Sequence, residues 1–182
     1  MEFTAIILAG GKSIRMGEDK GLMFLNGKPM IQHVIDVVQA LTHRIIIISN
    51  NSDYKKFNYP IFNDSVKNKG PLGGLLTGLE NSTTAKNLVL SCDAPYVNKA
   101  LIELLLFNSK NYDVVIPIKD KQTHQLIGVY DKNCLPILKK KIANNNLKIK
   151  TAIQEMNYKI IDANHIDTHV FHNINTKEDV TT

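Results

Sequence analysis

The chain has 182 residues, enough for one domain with a real core and no need of disulfides or structural metals. Lys and Arg exceed Asp and Glu by 22 to 17, a net charge of +5 without the basic stripe and interleaved aromatics that nucleic-acid binding requires. A mild positive field suits small anionic substrates such as nucleotides, and no run of about 20 apolar residues offers a membrane span.

Phe3 to Leu8 is a short apolar run before a glycine pair and predicts a buried strand. A polar loop, Ala9 to Asp19, follows. Met30 to Leu41 carries Ile31, Val34, Ile35 and Val38 at helical spacing, with Pro29 suited to the first turn. The four isoleucines within Arg44 to Ser49 predict a central strand buried on both faces. Tyr59 to Phe62 is a shorter strand, and Leu72 to Leu79 a helix opened by Gly-Pro. Asn87 to Ser91 is a further buried strand, and Lys99 to Phe107 a helix. Tyr112 to Ile116 and Gln125 to Tyr130 read as strands, and Asn133 to Ala143 as a helix whose Lys139 to Lys141 form a solvated face. A weaker helix near Thr151, a strand at Tyr158 to Ile161 and a capped turn after Asn175 complete the chain.

Strands alternating with helices of roughly ten residues imply right-handed βαβ units. The expected fold class is therefore α/β: a single-domain, Rossmann-like three-layer sandwich with a mainly parallel sheet, residues 1 to 182 forming one domain. The N-terminus enters a strand pattern directly, without the charged segment and apolar stretch of a signal peptide, so a cytoplasmic protein is expected.

In open α/β sheets ligands sit at the carboxyl ends of strands. The loop after the first strand, Leu8-Ala9-Gly10-Gly11-Lys12-Ser13-Ile14-Arg15-Met16-Gly17-Glu18-Asp19-Lys20, occupies such an end. Gly10 and Gly11 let backbone approach a ligand closely, and successive free N–H groups form an anion nest. Arg15 and Lys20 add full positive charge, the first as a fork of donors and the second as a compact ammonium. The glycines match neither GxGxxG nor the P-loop spacing, and a plain Gly-rich turn with two exposed cations is the alternative.

Asp93, in Ser91-Cys92-Asp93-Ala94-Pro95, follows the apolar strand Leu88-Val89-Leu90. Magnesium at phosphate sites is held by one or two carboxylates plus phosphate oxygens and waters, so one placed Asp suffices; the alternative is a turn residue before Pro95. Asp64 is similar, leading towards Gly70-Pro71-Leu72-Gly73-Gly74, where a helix N-terminus including Gly74 can approach an anion or a base edge. Cys92, at the end of an apolar run, reads as a core thiol rather than a nucleophile. It forms no CxxC pair with Cys134 and neither suggests a disulfide framework. His165, His169 and His172 are spaced like a metal cluster, but strand alternation would put His169 and His172 on opposite faces, against zinc.

Taken together these residues resemble the molybdenum cofactor guanylyltransferase family. LAGGKSIRMGEDKG at 8 to 21 looks like that family's opening signature and LNGKPMIQHV at 25 to 34 continues it. GPLGG at 70 to 74, CDAPYV at 92 to 97 and NINTKED at 173 to 179 match later blocks in order. The resemblance implies that Leu8, Ala9, Gly10, Gly11 and Gly74 line the nucleotide and that Lys20 binds its phosphates. Asp64 would contact the nucleoside, as would a residue of Ser49-Asn50-Asn51, for which Asn51 is the choice. Asp93 would hold Mg2+, while Asn173 and Asn175 would form the pterin-side pocket. Lys148 stands near a basic position, often Arg, of the acceptor side, which leaves a bidentate contact in doubt. His124 falls near a His of relatives without a clear role.

The implied reaction joins GTP to a molybdopterin-type cofactor, its phosphate attacking the α-phosphorus while pyrophosphate leaves. Arg15 and Lys20 would assist with Asp93, and the resemblance also implies transient contact with cofactor-synthesis or molybdoenzyme proteins. A relative using CTP or a sugar-phosphate acceptor is the nearest rival, and a non-catalytic nucleotide-binding module the rival from another class.

Overall fold

The structure, a computed structural model, describes residues 1–10, 19–66 and 69–174. The elements in chain order are β1 (Phe3–Leu8), β2 (Phe24–Leu25), β3 (Lys28–Pro29), α1 (Met30–Gln39), β4 (Ile45–Ile48), β5 (Ile61–Phe62), α2 (Gly70–Asn81), β6 (Lys86–Ser91), α3 (Lys99–Phe107), β7 (Val114–Lys119), β8 (Gln122–Thr123), β9 (Ile127–Asp131), α4 (Leu135–Ala143), α5 (Ile149–Ile153) and β10 (Tyr158–Asp162). Short 3-10 turns at Lys20–Leu22, Ser52–Phe57, Lys132–Cys134 and Thr168–Phe171 join them.

Eight strands form one sheet in the order β10-β7-β9-β6-β1-β4-β5, with β8 on β7. Parallel pairing links β1 with β4 and β6, β4 with β5, and β7 with β10. The two-faced isoleucine run of β4 explains the layers. Ile45 and Ile47 pack with Phe3, Ala5 and Ile7 of β1 against α1 and α3, through Ile31, Val34, Leu101 and Ile102. Ile46 and Ile48 pack with Ile6 and Leu8 against α2 and α4, through Leu72, Leu75, Leu79 and Leu138. Alternate residues of each buried strand thus feed two separate cores, which is why these strands read as continuous apolar runs. The expected three-layer α/β class is what the chain adopts.

The sheet departs from pure βαβ winding at β9, which runs antiparallel between β6 and β7. After β7 the chain turns back at Asp120-Lys121, both with positive φ (49° and 66°), into β8. A two-residue turn of this handedness matches strand twist without a helix crossover. It usually carries Asn-Gly, so Asp-Lys gives little sequence signal.

A second small feature is the β2–β3 hairpin, turned by Asn26 (φ 49°) and Gly27 (φ 82°). Two-residue strands have no period, so only the Asn-Gly pair announces this hairpin. It places Leu25 beside Met30 and Ile174 in a third small apolar cluster. Lys141 also differs from the expected solvated face: its side chain is buried and its ammonium bonds Glu155, while Lys139 and Lys140 stay exposed.

Helix α2 lies directly on β1. A Cβ at Gly78 would stand 2.5 Å from Ile6 Cγ2. Gly78→Ala gains about 1 kcal/mol of helix propensity but overpacks that contact, at a cost of about 1–3 kcal/mol. A net loss of stability in urea denaturation is the expected result; a variant more stable than wild type would show that α2 can lift from β1 freely.

Candidate functional site

Strand β1 has β4 on one side and β6 on the other, with the connections leaving in opposite directions along the sheet. That is a switch point, where the carboxyl ends of the strands open a crevice. Leu8 ends β1, Ser49 and Asn50 follow β4, and Asp93 follows β6. The Cys92 amide donates to the Leu8 carbonyl at 3.0 Å, which carries the pairing of β6 with β1 to the edge of the crevice.

A cleft of about 680 Å³ opens at this edge. Its floor is Leu8, Gly10, Ile48 and Ser91; one wall is Ser49, Asn50 and Asp64, and the other is the start of α2 with Lys69, Gly70, Pro71 and Gly74. Gly74 permits this approach: its Cβ position is 3.4 Å from Leu8 Cδ2. Asp64 sits against the first turn of α2, where a Cβ on Gly73 would stand 3.0 Å from its Oδ1. That oxygen accepts from the Val66 amide at 3.1 Å, and the Asp64 amide donates to Asn50 Oδ1 at 3.1 Å.

Of the residues expected at the nucleotide, Leu8, Gly10, Asp64 and Gly74 therefore line one cleft. Ala9 is buried beneath it, its amide on the Ile48 carbonyl at 2.9 Å. Asn51 is turned to other work: its Oδ1 caps the following turn at the Asp53 amide and its Nδ2 donates to Asp19 at 3.0 Å, leaving Asn50 to face the cleft. Ser49, of the expected Ser49-Asn50-Asn51 stretch, lines it too, and so do Lys69 and Leu126, which were not expected. Lys69 precedes the GPLGG block, a position that a cation at a helix start could have flagged. Gly11, Arg15 and Asn175 lie outside the described residues.

Asp93 and Lys20, also expected at the nucleotide, do not line this cleft; Asp93 stands two residues beyond Ser91, which does. Its Oδ1 is buried with no hydrogen-bond partner among the described residues. An orphaned carboxylate oxygen costs about 1–3 kcal/mol or more, and a hard divalent cation taking oxygen ligands would satisfy it. The residues present thus fit a magnesium ion. The closing block reaches the same turn: the Ile174 amide donates to the Asp93 backbone carbonyl at 3.0 Å, one residue after Asn173. The Lys20 turn packs here too, since a Cβ on Gly21 would meet Cys92 Sγ at 3.1 Å. Lys148 stays exposed at the start of α5, one residue beyond Leu147, which lines the cleft.

A family model described as MobA-like NTP transferase domain matches residues 5–158. The chain belongs to the MobA-like NTP transferase family. It is 35% identical over 178 residues to a Flavobacterium johnsoniae protein described as a probable molybdenum cofactor guanylyltransferase, covering 97% of this chain and 94% of the relative. It is 35% identical over 180 residues to the molybdenum cofactor guanylyltransferase of Vibrio parahaemolyticus, covering 96% and 91%. The crystal structure of molybdopterin-guanine dinucleotide biosynthesis protein A from Archaeoglobus fulgidus superposes with a TM-score of 0.82 at 20% identity over 98% of this chain and 95% of that one, a likeness of fold.

In this MobA-like chain Cys92 is buried in the core, as expected for a core thiol. Burial first, then the carboxylates of Asp93 and Asp19, push its thiol well above the ordinary range, with the Lys20 ammonium pulling weakly the other way. The three histidines near the C-terminus differ from the strand expectation. Thr168–Phe171 is a 3-10 turn, so His169 and His172, three residues apart, share a side, their rings near parallel at 6.3 Å. Tyr96 of the Asp93 turn lies 3.8 Å from the His169 ring. Among the described residues no group of three His, Cys, Asp or Glu is arranged to hold a metal. His124 packs 4.7 Å from Phe171, and burial, which disfavours the charged ring, lowers its pKa from the ordinary value. No described helix is long and apolar enough to cross a membrane.

Proposed function

We propose that this MobA-like NTP transferase transfers GMP from GTP to the phosphate of a molybdopterin-type cofactor and releases pyrophosphate. The observation that carries the reading is the orphaned Asp93 carboxylate two residues beyond Ser91, which lines a glycine-walled cleft of about 680 Å³. Relatives covered over more than nine tenths of their length and described as guanylyltransferases for this cofactor supply the choice of base and acceptor. We take residues 1 to 182 as one nucleotidyltransferase domain acting in the cytoplasm.

The guanosine would lie in the cleft between Asn50, Asp64 and the first turn of α2, whose bare glycines let a flat base come close to backbone. The triphosphate would cross the end of β1 at Gly10 towards Lys20. An acceptor phosphate beside Asn173 forms a bond to the α-phosphorus while the bond to the bridging oxygen of the leaving pyrophosphate breaks, so the electron pair and charge leave with pyrophosphate. The nucleophile is already an anion, and no general base is needed; positioning and charge neutralisation carry the rate. Magnesium, held by Asp93, would supply counter-charge between two phosphates that otherwise repel.

A ligand that binds only the native state stabilises it, by about 2.7 kcal/mol at a hundred times its Kd, or roughly 5–10 °C in a chain of this size. GTP with magnesium is expected to raise the Tm by that order and more than CTP, ATP or UTP at equal concentration. Equal or greater stabilisation by CTP would overturn the guanine assignment and favour a cytidylyltransferase.

A further inference from the structure

Tyr54 is fully buried on the turn after β4, yet it ends on a charge. Its hydroxyl donates to Asp19 Oδ1 at 2.5 Å. The same oxygen accepts the Gly21 amide at 3.1 Å, and Asp19 Oδ2 accepts Asn51 Nδ2 at 3.0 Å. Asp19 thus takes three donors from two distant parts of the chain and caps the short turn Lys20–Leu22. Backbone bonds close that turn from both sides of Lys20: Leu22 N to Asp19 O at 2.9 Å and Met23 N to Lys20 O at 3.1 Å.

Gly21 completes the arrangement. A Cβ there would collide with the Tyr54 hydroxyl oxygen and stand 3.1 Å from Cys92 Sγ. Only a bare glycine lets residues 19 to 22 settle between the buried phenol and the strand end that presents Asp93. Burial, with the Cys92 thiol and the Asp19 carboxylate beside it, holds the phenol protonated, so it serves Asp19 as a donor throughout the neutral range. Neither Tyr54 nor Asp19 lines the cleft.

We propose that Asp19, Tyr54 and Asn51 form a clamp that fixes the Lys20 turn in the place from which its ammonium meets a triphosphate, with Tyr54 as a positioning residue that never touches substrate. The clamp rests on the reading of Lys20 as a phosphate contact. A flexible lysine is ordinarily a loose point charge; anchoring its backbone by a charge-assisted network removes the ordering cost from the binding step.

The test is calorimetric binding of magnesium GTP, magnesium tripolyphosphate and guanosine to wild type, Tyr54→Phe and Asp19→Asn. Losing one hydrogen bond to a charged group is worth about tenfold in affinity. Tyr54→Phe is expected to weaken GTP and tripolyphosphate about tenfold and leave guanosine within twofold. A purely structural role would lower guanosine and GTP together, or neither, and either result overturns the clamp. Should Tyr54→Phe fold poorly, Asp19→Asn, at a half-buried site, decides by the same split. A wild type that prefers CTP overturns the guanine reading alone, because the tripolyphosphate ratio still decides the clamp. A wild type that binds no triphosphate overturns both.

Discussion

Asp93→Asn is expected to leave a folded protein that transfers GMP more than a hundredfold slower than wild type. The substitution keeps size and shape but removes the charge that a magnesium ion needs. The carboxylate follows β6 with its Oδ1 buried and without a hydrogen-bond partner among the described residues, so the substitution breaks no hydrogen bond at that oxygen. Its backbone carbonyl, which accepts the Ile174 amide at 3.0 Å, is untouched. Folding should therefore survive, and relief of an unpaired charge should leave the Tm equal or higher. Removing one electrostatic stabiliser of a transition state costs roughly 10²–10³ in rate. Part of the loss is metal affinity, so raising magnesium should recover some activity. Turnover across a magnesium titration, with circular dichroism as folding control, checks this. A folded variant with near-normal turnover at low magnesium would show that Asp93 is a turn residue only.

Lys20→Ala is expected to weaken GTP tenfold to a hundredfold while leaving guanosine nearly unchanged. A charge-assisted contact is worth roughly 1.5–3 kcal/mol, which converts to that range. The turn carrying Lys20 packs on Cys92, one residue before Asp93 in the chain, and Lys20 does not line the cleft proposed for the base. Truncation at Cβ keeps the Asp19 cap and the backbone bonds of the turn, which the side chain does not make. The comparison with guanosine separates charge recognition from general damage. Equal weakening of both ligands would place the lysine outside phosphate binding. Its effect should exceed that of Tyr54→Phe, because the first removes a contact and the second only loosens its support.

Both predictions draw on residues that the chain announces locally. Asp93 follows an apolar strand, and an apolar strand followed by Asp-Ala-Pro puts that Asp at the carboxyl end of the sheet whatever its neighbours are. The isoleucines of β4 and the apolar run of β1 fix burial on two faces, because alternate side chains must both find a core. The helices Lys99–Phe107 and Met30–Gln39 follow from spacing alone, the first with its Asn98 cap bonded to the Leu101 amide at 3.0 Å.

What the tertiary structure decided is who stands beside whom. Periodicity reports which face of a strand is buried, not which strand pairs with it. The insertion of β9 against the direction of β6 and β7 is of that kind, as is the approach of β6 to β1 from some eighty residues away. The choice between Asn50 and Asn51 turned on one residue of rotation at the end of β4, where one amide faces the cleft and the other caps a turn. Tyr54 carries no signal in the chain at all, since a buried tyrosine declares its function only through the partner of its hydroxyl. That partner, Asp19, lies thirty-five residues away and meets it only because α1 and β4 return the chain beside the first loop. Local chemistry thus determined the kinds of residue available for a nucleotide and a metal; long-range packing, which no single segment encodes, determined which of them share the crevice.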